Sequence, residues 1–475
     1  MMPGGHGHGV SLLFGWLPLA VQLLTGAVLI ASVGRRPPRW LAWRLPALAL
    51  IGAVFALVIR REVSADGLAS DPAPTMLWFW TALSAASLTL VVLGWRGARW
   101  PRRALSVLGI PLTLLCAALM LNDWVGYFPT TTAAWSQLTD GPLPDQVEPA
   151  QLAQLAGTGA SMRTGRMVPV TIPATASHFA HREEYVYLPP AWFLANHPRL
   201  PVLMMIGGEF NTPADWIRVG GAVQTVDRFA AANHGLAPVL VFVDSGGSFN
   251  NDTECVDGPR GDAADYLTKD VPSYIQSRFA TSAAPSGWGV VGWSAGGTCA
   301  VDLAVMHPEL FGTFEDIAGD LGPNTGDRAA TVAKLYGGSA ARWARFDPAT
   351  VITTHAPYRD TAGWFVNSTD TGWGAHTRPR RRAGPPAGAQ HARNPAAGSS
   401  ASTGMGGHPD GADPPGAEAL AARTLCAAAG AKGVECTLHT LSGRHSWQFA
   451  SAAFSDALPW LTARLDNPMT NRATA

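Results

Sequence analysis

The 475-residue chain has little charge and almost no lysine. Charged residues make up 14% of it, against about 25% in an average soluble domain. Lysine supplies only 3 of the 34 basic residues, and 34 acidic residues cancel them. No net positive field therefore attracts nucleic acid, and a nucleic-acid partner is not expected. The shortage of charge, together with 47% hydrophobic residues, predicts that some apolar residues lie in a bilayer.

Cysteine is scarce as well, and none of the 5 cysteines forms a Cys-x-x-Cys pair. A zinc or thioredoxin-type site is therefore not expected. Cys116 falls in a long apolar segment, which leaves an even set of four. Cys426 and Cys436 bracket a predicted helix-to-strand connection, and Cys255 lies near Cys299 if its loop crosses the same face of the domain. Two disulfides or four free thiols both remain open.

Long apolar segments are concentrated before residue 125. No Lys, Arg, Asp or Glu occurs from Met1 to Val33. A spanning helix needs about 20 apolar residues, and the candidate spans are Ser11–Val33, Leu45–Ile59 extended by Trp40 and Trp43, Pro72–Trp95 and Ala104–Asn122. A cleaved signal peptide explains one such segment but not four. We therefore predict a four-helix transmembrane region over residues 1–125, with the lipid bilayer as a partner.

Arginine clusters predict the orientation of these spans. They lie in the first and third connections, at Arg35, Arg36 and Arg39 and at Arg96, Arg99, Arg102 and Arg103. Connections rich in Arg face the cytoplasm. Both termini, and everything after about Trp124, are then extracytoplasmic. The expected location is the cell membrane, crossed several times, with the remainder of the chain outside.

The outer part of the chain alternates short apolar runs with helical patterns, which indicates an α/β fold with a mostly parallel sheet flanked by helices. A tether is predicted over 126–166, the folded domain over 167–466 and a tail over 467–475. Predicted strands are Met167–Ile172, Glu184–Leu188, Val202–Ile206, Val239–Val243, Gly289–Val291, Gly363–Asn367 and Val434–His439. Predicted helices are Ala214–Ala232, Leu267–Ala280, Ala295–His307, Glu418–Ala429 and Ser446–Leu465.

One stretch of the domain, 374–416, has almost no apolar residue beyond alanine and is rich in Arg, Pro, Gly and Ser. A packed core cannot form from such a composition, so we predict a disordered insertion. Its basic run, Arg378 to Arg382, is either a solvated charge run or a contact to anionic lipid headgroups.

The sharpest chemical signal is Gly292-Trp293-Ser294-Ala295-Gly296. It stands between a strand-like segment and a helix of small residues, which is the context of the nucleophile turn in α/β-hydrolases. Ser294 is the candidate nucleophile. The oxyanion donors expected with it are the N–H of Ala295 and, after the third strand, the N–H of Gly208.

A serine nucleophile needs a base and an acid, and in this fold the base comes last in the chain. His445 follows the last predicted strand and precedes the last helix, so it is the candidate base. The candidate acid is Asp370, three residues after the strand that ends at Asn367. Its rivals lie at the far end of the insertion and are Asp410, Asp413 and Glu418.

The chain resembles the putative esterase family that includes mycobacterial mycolyltransferases. The resemblance covers about Met167 to Leu465 and rests on Gly207-Gly208, the Ser294 turn, the helix ending His307-Pro308-Glu309-Leu310-Phe311 and Gly443-Arg444-His445-Ser446-Trp447. The four-span region followed by Trp124-Val125-Gly126-Tyr127-Phe128-Pro129 resembles membrane-anchored actinobacterial members. The resemblance implies an α/β-hydrolase with a Ser-His-acid triad, no metal and no cofactor.

The expected function is that of an outward-facing serine carboxylesterase that acts on an ester or acyl-lipid substrate through an acyl-enzyme. Acyl transfer to a cell-envelope sugar or lipid is the alternative, because water or an alcohol can resolve the same intermediate. A non-catalytic envelope protein on a hydrolase scaffold is a third hypothesis. The polar loop Ser245–Asp252 either lines an acceptor site or is a solvent-exposed turn.

Overall fold

The computed structural model of the protein describes residues 9–34, 36–65, 73–96, 98–139, 141–369 and 416–465. The predicted insertion up to residue 415, including Arg378 to Arg382, and the predicted tail lie outside these ranges. The acid candidates Asp370, Asp410 and Asp413 lie outside them too.

The four long apolar helices predicted from the sequence are present. They are α1 (Trp16–Val33), α2 (Pro38–Ala65), α3 (Thr75–Gly94) and α4 (Trp100–Val125). Each is long and apolar enough to cross a membrane, and large apolar side chains such as Trp43 and Leu57 are exposed on them. Helices that expose so much apolar surface suggest a membrane protein, because a lipid environment solvates such side chains.

The bundle is held by close contacts between neighbouring helices. Helix α1 packs on α4, α4 on α3 and α3 on α2. A Cβ atom at Gly52 would lie 2.5 Å from the carbonyl oxygen of Ala82, so the glycine lets α2 approach the backbone of α3. Small residues at helix contacts have this role in membrane bundles.

An eight-stranded sheet forms the centre of the outer domain. Its strands are β1 (Arg166–Val170), β2 (Glu184–Leu188), β3 (Val202–Ile206), β4 (Val239–Phe242), β5 (Trp288–Trp293), β6 (Thr313–Ile317), β7 (Ala362–Ser368) and β8 (Glu435–Leu441). The spatial order is β1-β2-β4-β3-β5-β6-β7-β8. The pairs β1–β2 and β2–β4 are antiparallel, and the others are parallel. A short antiparallel hairpin, whose strands Asp257–Gly258 and Gly261–Asp262 have two residues each, is separate from this sheet.

All seven predicted strands are present, and β6 is an eighth that the sequence did not reveal. Its sequence, TFEDI, places two acidic residues in five, which disguises a buried strand. Both side chains are nevertheless buried. Burial raises the pKa of Glu315 well above its ordinary value and that of Asp316 to about 7, so the core disfavours the ionised form of both.

Helices cover both faces of the sheet. Those after α4 are α5 (Thr131–Leu138), α6 (Leu152–Leu155), α7 (Asp215–Arg218), α8 (Ala222–Ala232), α9 (Ala263–Asp265), α10 (Val271–Phe279), α11 (Ala295–Met306), α12 (Arg328–Tyr336), α13 (Ala340–Phe346), α14 (Pro348–Thr354), α15 (Ala417–Ala431) and α16 (Trp447–Arg464). Single turns occur at Pro149–Gln151, Gly159–Ser161, Pro190–Phe193, Tyr266–Asp270 and Pro285–Gly287. One core cluster joins the sheet to α10, α11 and α15, and a second joins its other face to α7, α8 and α16.

Two helix predictions differ from the structure. The helix predicted over Ala214–Ala232 is split into α7 and α8 at Gly220 and Gly221. Gly221 has φ +62°, which interrupts the helical backbone between α7 and α8. A Cβ at Gly220 would lie 2.8 Å from the ring of Trp216, so the glycine leaves room for that ring. The helix predicted over Leu267–Ala280 begins with a wider, π-helical turn at Tyr266–Asp270 and is a regular α-helix only over Val271–Phe279, which is α10. Helices α12 to α14 were not expected.

The described part of the tether segment packs on the domain. The Tyr127 hydroxyl donates to Asp215 Oδ1 at 2.6 Å, and the Val147 N–H donates to the Met167 carbonyl at 2.8 Å. Because α5 and α6 also form in this segment, the connection between α4 and β1 has fixed structure over these residues.

Both disulfides that the cysteine spacing allows are formed. Cys255 pairs with Cys299 and Cys426 with Cys436, while Cys116 is buried in α4. The first bond links the loop after β4 to α11, and the second links α15 to β8. Disulfides persist mainly in oxidising compartments.

Candidate active site

Ser294 occupies a strained turn between β5 and α11. Its backbone has φ +58° and ψ −125°, which residues with a side chain rarely adopt. A Cβ at Gly292 would overlap the Gly296 carbonyl, and one at Gly296 would lie 2.5 Å from the carbonyl oxygen of Gly207. The glycines of the motif are therefore needed for the turn to close and for the β3 loop to approach it.

Two backbone N–H groups, those predicted as oxyanion donors, lie beside Ser294. Ala295 is the first residue of α11, so its N–H has no partner within the helix. Gly208 follows β3, and a Cβ there would lie 3.0 Å from the Cβ of Ser294. The Gly208 N–H donates to Asn211 Oδ1 at 2.8 Å.

An ion pair between the partly exposed Arg182 and the buried Asp244 braces the loop that carries Gly208. Arg182 donates to Asp244 Oδ1 at 2.6 Å and to the Asn211 carbonyl at 2.8 Å. Burial opposes ionisation of Asp244, but the hydrogen bonds and charge of Arg182 keep its pKa below the ordinary value. Sequence analysis did not find this brace, because Arg182 and Asp244 are 62 positions apart and neither belongs to a motif.

His445 lies in the loop between β8 and α16, next to the serine turn. Its ring packs on that of Trp293 with a centroid distance of 4.1 Å and an interplanar angle of 34°. Trp293 is the residue before Ser294 and is itself buried. The last strand and the central strand therefore bring the predicted base into contact with the residue before Ser294, although 151 positions separate His445 from Ser294 in the chain (445 minus 294).

The His445 Nδ1 atom lies 2.8 Å from Oε1 of Glu418. Glu418 is in the first turn of α15, where the partial positive charge of the helix N-terminus favours a carboxylate. Both side chains are largely buried, with 21% and 13% of their surfaces exposed. Glu418 was one of the rivals to Asp370. Asp370 is outside the described residues, so its role stays a prediction.

A cleft lined by Gly208, Ala295 and Gly296 holds about 350 Å³ of empty space, open solvent included. Its walls come from the loop after β3, the loop after β4 and the first turns of α11. Much of the polar loop Ser245–Asp252 lines it. Phe210 and Phe249 pack together at a centroid distance of 5.3 Å and are exposed.

Two acidic residues in the wall of this cleft resist ionisation. Burial raises the pKa of Asp252 to about 6. Burial and the charge of Asp252 raise the pKa of Glu254 well above its ordinary value, because two adjacent carboxylates resist ionising together. Cys255 follows directly, and its disulfide to Cys299 ties this wall to the helix that begins after Ser294.

The strand order, the serine turn after the fifth strand and a histidine after the last strand define an α/β-hydrolase. A family model described as putative esterase matches residues 180–461, which is more than half of the chain. The chain belongs to the putative esterase family. It is accordingly an enzyme, a serine hydrolase or an acyltransferase.

The chain is also similar to individual proteins and solved structures. The chain is 28% identical over 344 residues to an uncharacterized protein of Corynebacterium glutamicum, and the match covers 70% of this chain and 78% of that protein. It is 27% identical over 173 residues to the MPT51 antigen of Mycobacterium leprae, which covers 31% of this chain and 54% of the antigen. The fold is similar to that of an S-formylglutathione hydrolase from Agrobacterium tumefaciens, with a TM-score of 0.45 and 19% identity. The match covers 64% of this chain and 97% of that hydrolase.

Proposed function

We propose that the protein is a membrane-anchored serine carboxylesterase whose triad is Ser294, His445 and Glu418. The observation that carries the proposal is the placement of His445, which contacts Trp293 beside the nucleophile through its ring face and Glu418 through Nδ1. A histidine whose Nδ1 is held by a carboxylate can take a proton from a serine on its Nε2.

The reaction follows from this arrangement. Ser294 Oγ attacks the carbonyl carbon of the ester while His445 Nε2 takes the hydroxyl proton, and Glu418 stabilises the imidazolium. The N–H groups of Ala295 and Gly208 stabilise the oxyanion. His445 then returns the proton to the alcohol oxygen as its bond to the acyl carbon breaks. Water repeats the sequence on the acyl-enzyme and releases the acid and free Ser294.

Acyl transfer is the second candidate, and the cleft wall favours it. Polar side chains of the Ser245–Asp252 loop line the same cleft as Ala295, and hydroxyl groups of an acceptor alcohol would find hydrogen-bond partners there. An alcohol held there has a large effective concentration relative to water.

The two candidates are separated by the products of a single assay. Purified full-length protein in detergent, with no metal added, is expected to release p-nitrophenol from short-chain esters. With trehalose present, an esterase gives only free acid, whereas an acyltransferase also gives the sugar ester. Mass spectrometry of the products measures the ratio. Absence of both p-nitrophenol release and sugar ester would contradict the proposed function.

We further propose that the catalytic domain is extracytoplasmic. The Arg-rich first and third connections support this orientation. The two disulfides of the domain support it too, since such bonds are rare in a reducing cytosol.

A fusion experiment tests the orientation. A reporter enzyme that is active only outside the cytoplasm is expected to work when it is fused after Leu465 and to be inactive when it is fused after Arg99. Immunoblotting of the fusions corrects for expression. The reverse pattern would contradict both the four-span arrangement and an extracytoplasmic catalytic domain.

A further inference from the structure

The loop that carries His445 is attached to the end of the fourth apolar helix. Arg444 Nη2 donates to the Asp123 carbonyl at 2.8 Å and lies 3.5 Å from Asp123 Oδ1. Gln448 Nε2 donates to the Gly126 carbonyl at 2.7 Å. These bonds hold the chain one residue before His445 and three residues after it.

The end of α4 is itself rigid, so it can serve as a support. Gly126 has φ +66°, and its N–H donates to the Asn122 carbonyl at 2.8 Å. The Asn122 side chain accepts from the Phe128 N–H at 2.6 Å and donates to the Phe128 carbonyl at 2.9 Å. We name residues 122–128 the helix-4 cap. Its bonds fix the direction in which the chain leaves α4.

The helix-4 cap also contacts the opposite side of the site. Tyr127 donates to Asp215 Oδ1 at 2.6 Å, and Asp215 Oδ2 accepts from the Thr212 N–H at 2.7 Å. Thr212 follows Asn211, which binds the Gly208 N–H. The cap therefore contacts both the loop of the base and, through Asp215, the loop of an oxyanion donor.

The fit at Gly126 leaves no room for a side chain. A Cβ there would overlap the Gln448 amide and lie 2.9 Å from the Cβ of Ser446. Since Ser446 is the neighbour of His445, any displacement of Ser446 moves the base.

We propose that the helix-4 cap is part of the active site, with Gly126, Arg444 and Gln448 as positioning residues for His445. The inference rests on the proposed function, because it assigns a role relative to the catalytic base. It makes the apolar bundle more than an anchor, since the last helix fixes the catalytic geometry directly.

The test compares two glycine substitutions in the full-length protein in nanodiscs. Gly126→Ala is expected to lower kcat for a soluble p-nitrophenyl ester by about a hundredfold with little change in KM, because a displacement of about 1 Å in a catalytic group has effects of that size. Gly157→Ala is the matched control. Gly157 has φ +83° and no atom within 4 Å of an added Cβ, so the substitution adds the same backbone strain without a clash.

A second pair of variants covers the case in which Gly126→Ala fails to fold. Gln448 is exposed, so Gln448→Ala removes the bond to Gly126 without opening the core. It is expected to lower kcat by about threefold to tenfold, in the range of a lost hydrogen bond. Gln224→Ala, at an exposed glutamine on α8, is the control. The double variant Gly126→Ala with Gln448→Ala is expected to have a higher kcat than Gly126→Ala alone, because the Gln448 amide that clashes with the added Cβ is gone.

The outcomes distinguish this inference from the proposed function. Wild-type protein that cleaves no ester would overturn the proposed function and this inference with it. Active wild-type protein, with Gly126→Ala equal to Gly157→Ala and Gln448→Ala equal to Gln224→Ala, would overturn the positioning role alone. A loss that appears only in KM would overturn it as well.

Discussion

Replacing Ser294 with alanine is expected to abolish ester cleavage and labelling by a serine-directed phosphonate together. Without Oγ no acyl-enzyme or phosphonyl-enzyme can form, because both require a bond from that oxygen. The loss of turnover should be about a millionfold, as for nucleophile removal in other serine hydrolases. The measurements are p-nitrophenol release and the mass increase of the intact protein after phosphonate treatment.

The matched control for this variant is Ser273→Ala on α10, where the serine is exposed and distant from the turn motif in sequence. It should keep wild-type turnover and labelling. Ser294→Ala protein that still cleaves esters would show that another nucleophile carries the activity. Wild-type protein that neither cleaves esters nor reacts with the phosphonate would instead favour a non-catalytic role for this scaffold.

Glu418→Gln is expected to reduce turnover by about ten thousandfold while leaving the fold intact. The amide has the shape of the carboxylate, but it can donate to His445 Nδ1 and so favours the wrong tautomer of the base. It also removes the charge that stabilises the imidazolium. Steady-state kinetics across pH 6 to 9 measure the loss, and phosphonate labelling should be slowed rather than abolished.

Asp370→Asn decides between Glu418 and Asp370, the acid candidate before the insertion. If Glu418 is the acid, this variant should keep most of its turnover. Glu309→Gln is the control for removing a carboxylate, since 64% of that side chain is exposed. A large loss in Asp370→Asn with an active Glu418→Gln would place the acid before the insertion, as the order of residues along the chain first predicted.

Much of the fold could be predicted because the central strands are continuous apolar runs. The β3 sequence VLMMI is buried along its whole length, and such runs between turn residues are typical of parallel sheets. Prediction failed where tertiary packing overrides local pattern. Strand β6 buries Glu315 and Asp316, and the break between α7 and α8 depends on the space that the Trp216 ring occupies beside Gly220.

The residues of the candidate site could likewise be predicted only in part. Ser294, Ala295 and Gly208 could be located from the sequence because steric limits at the turn leave a glycine signature. His445 could be located by its order in the chain. The carboxylate that contacts His445 could not be singled out, because the insertion separates strand β7 from helix α15 and several carboxylates lie near its two ends. Gly126 escaped notice because its constraint comes from Gln448, more than 300 positions away.

The Cys255–Cys299 bond has a thermodynamic consequence for the cleft. The 44 positions between its cysteines include α10, β5 and the Ser294 turn, so the cleft wall and the nucleophile belong to one covalent ring. In the chain-entropy model, closing a ring of this size lowers the entropy of the unfolded chain and contributes about 4 kcal/mol to stability. Domains of this kind are stable by only about 5–15 kcal/mol. A large share of the free energy that keeps this cleft folded is therefore available only after the two sulfurs have been oxidised.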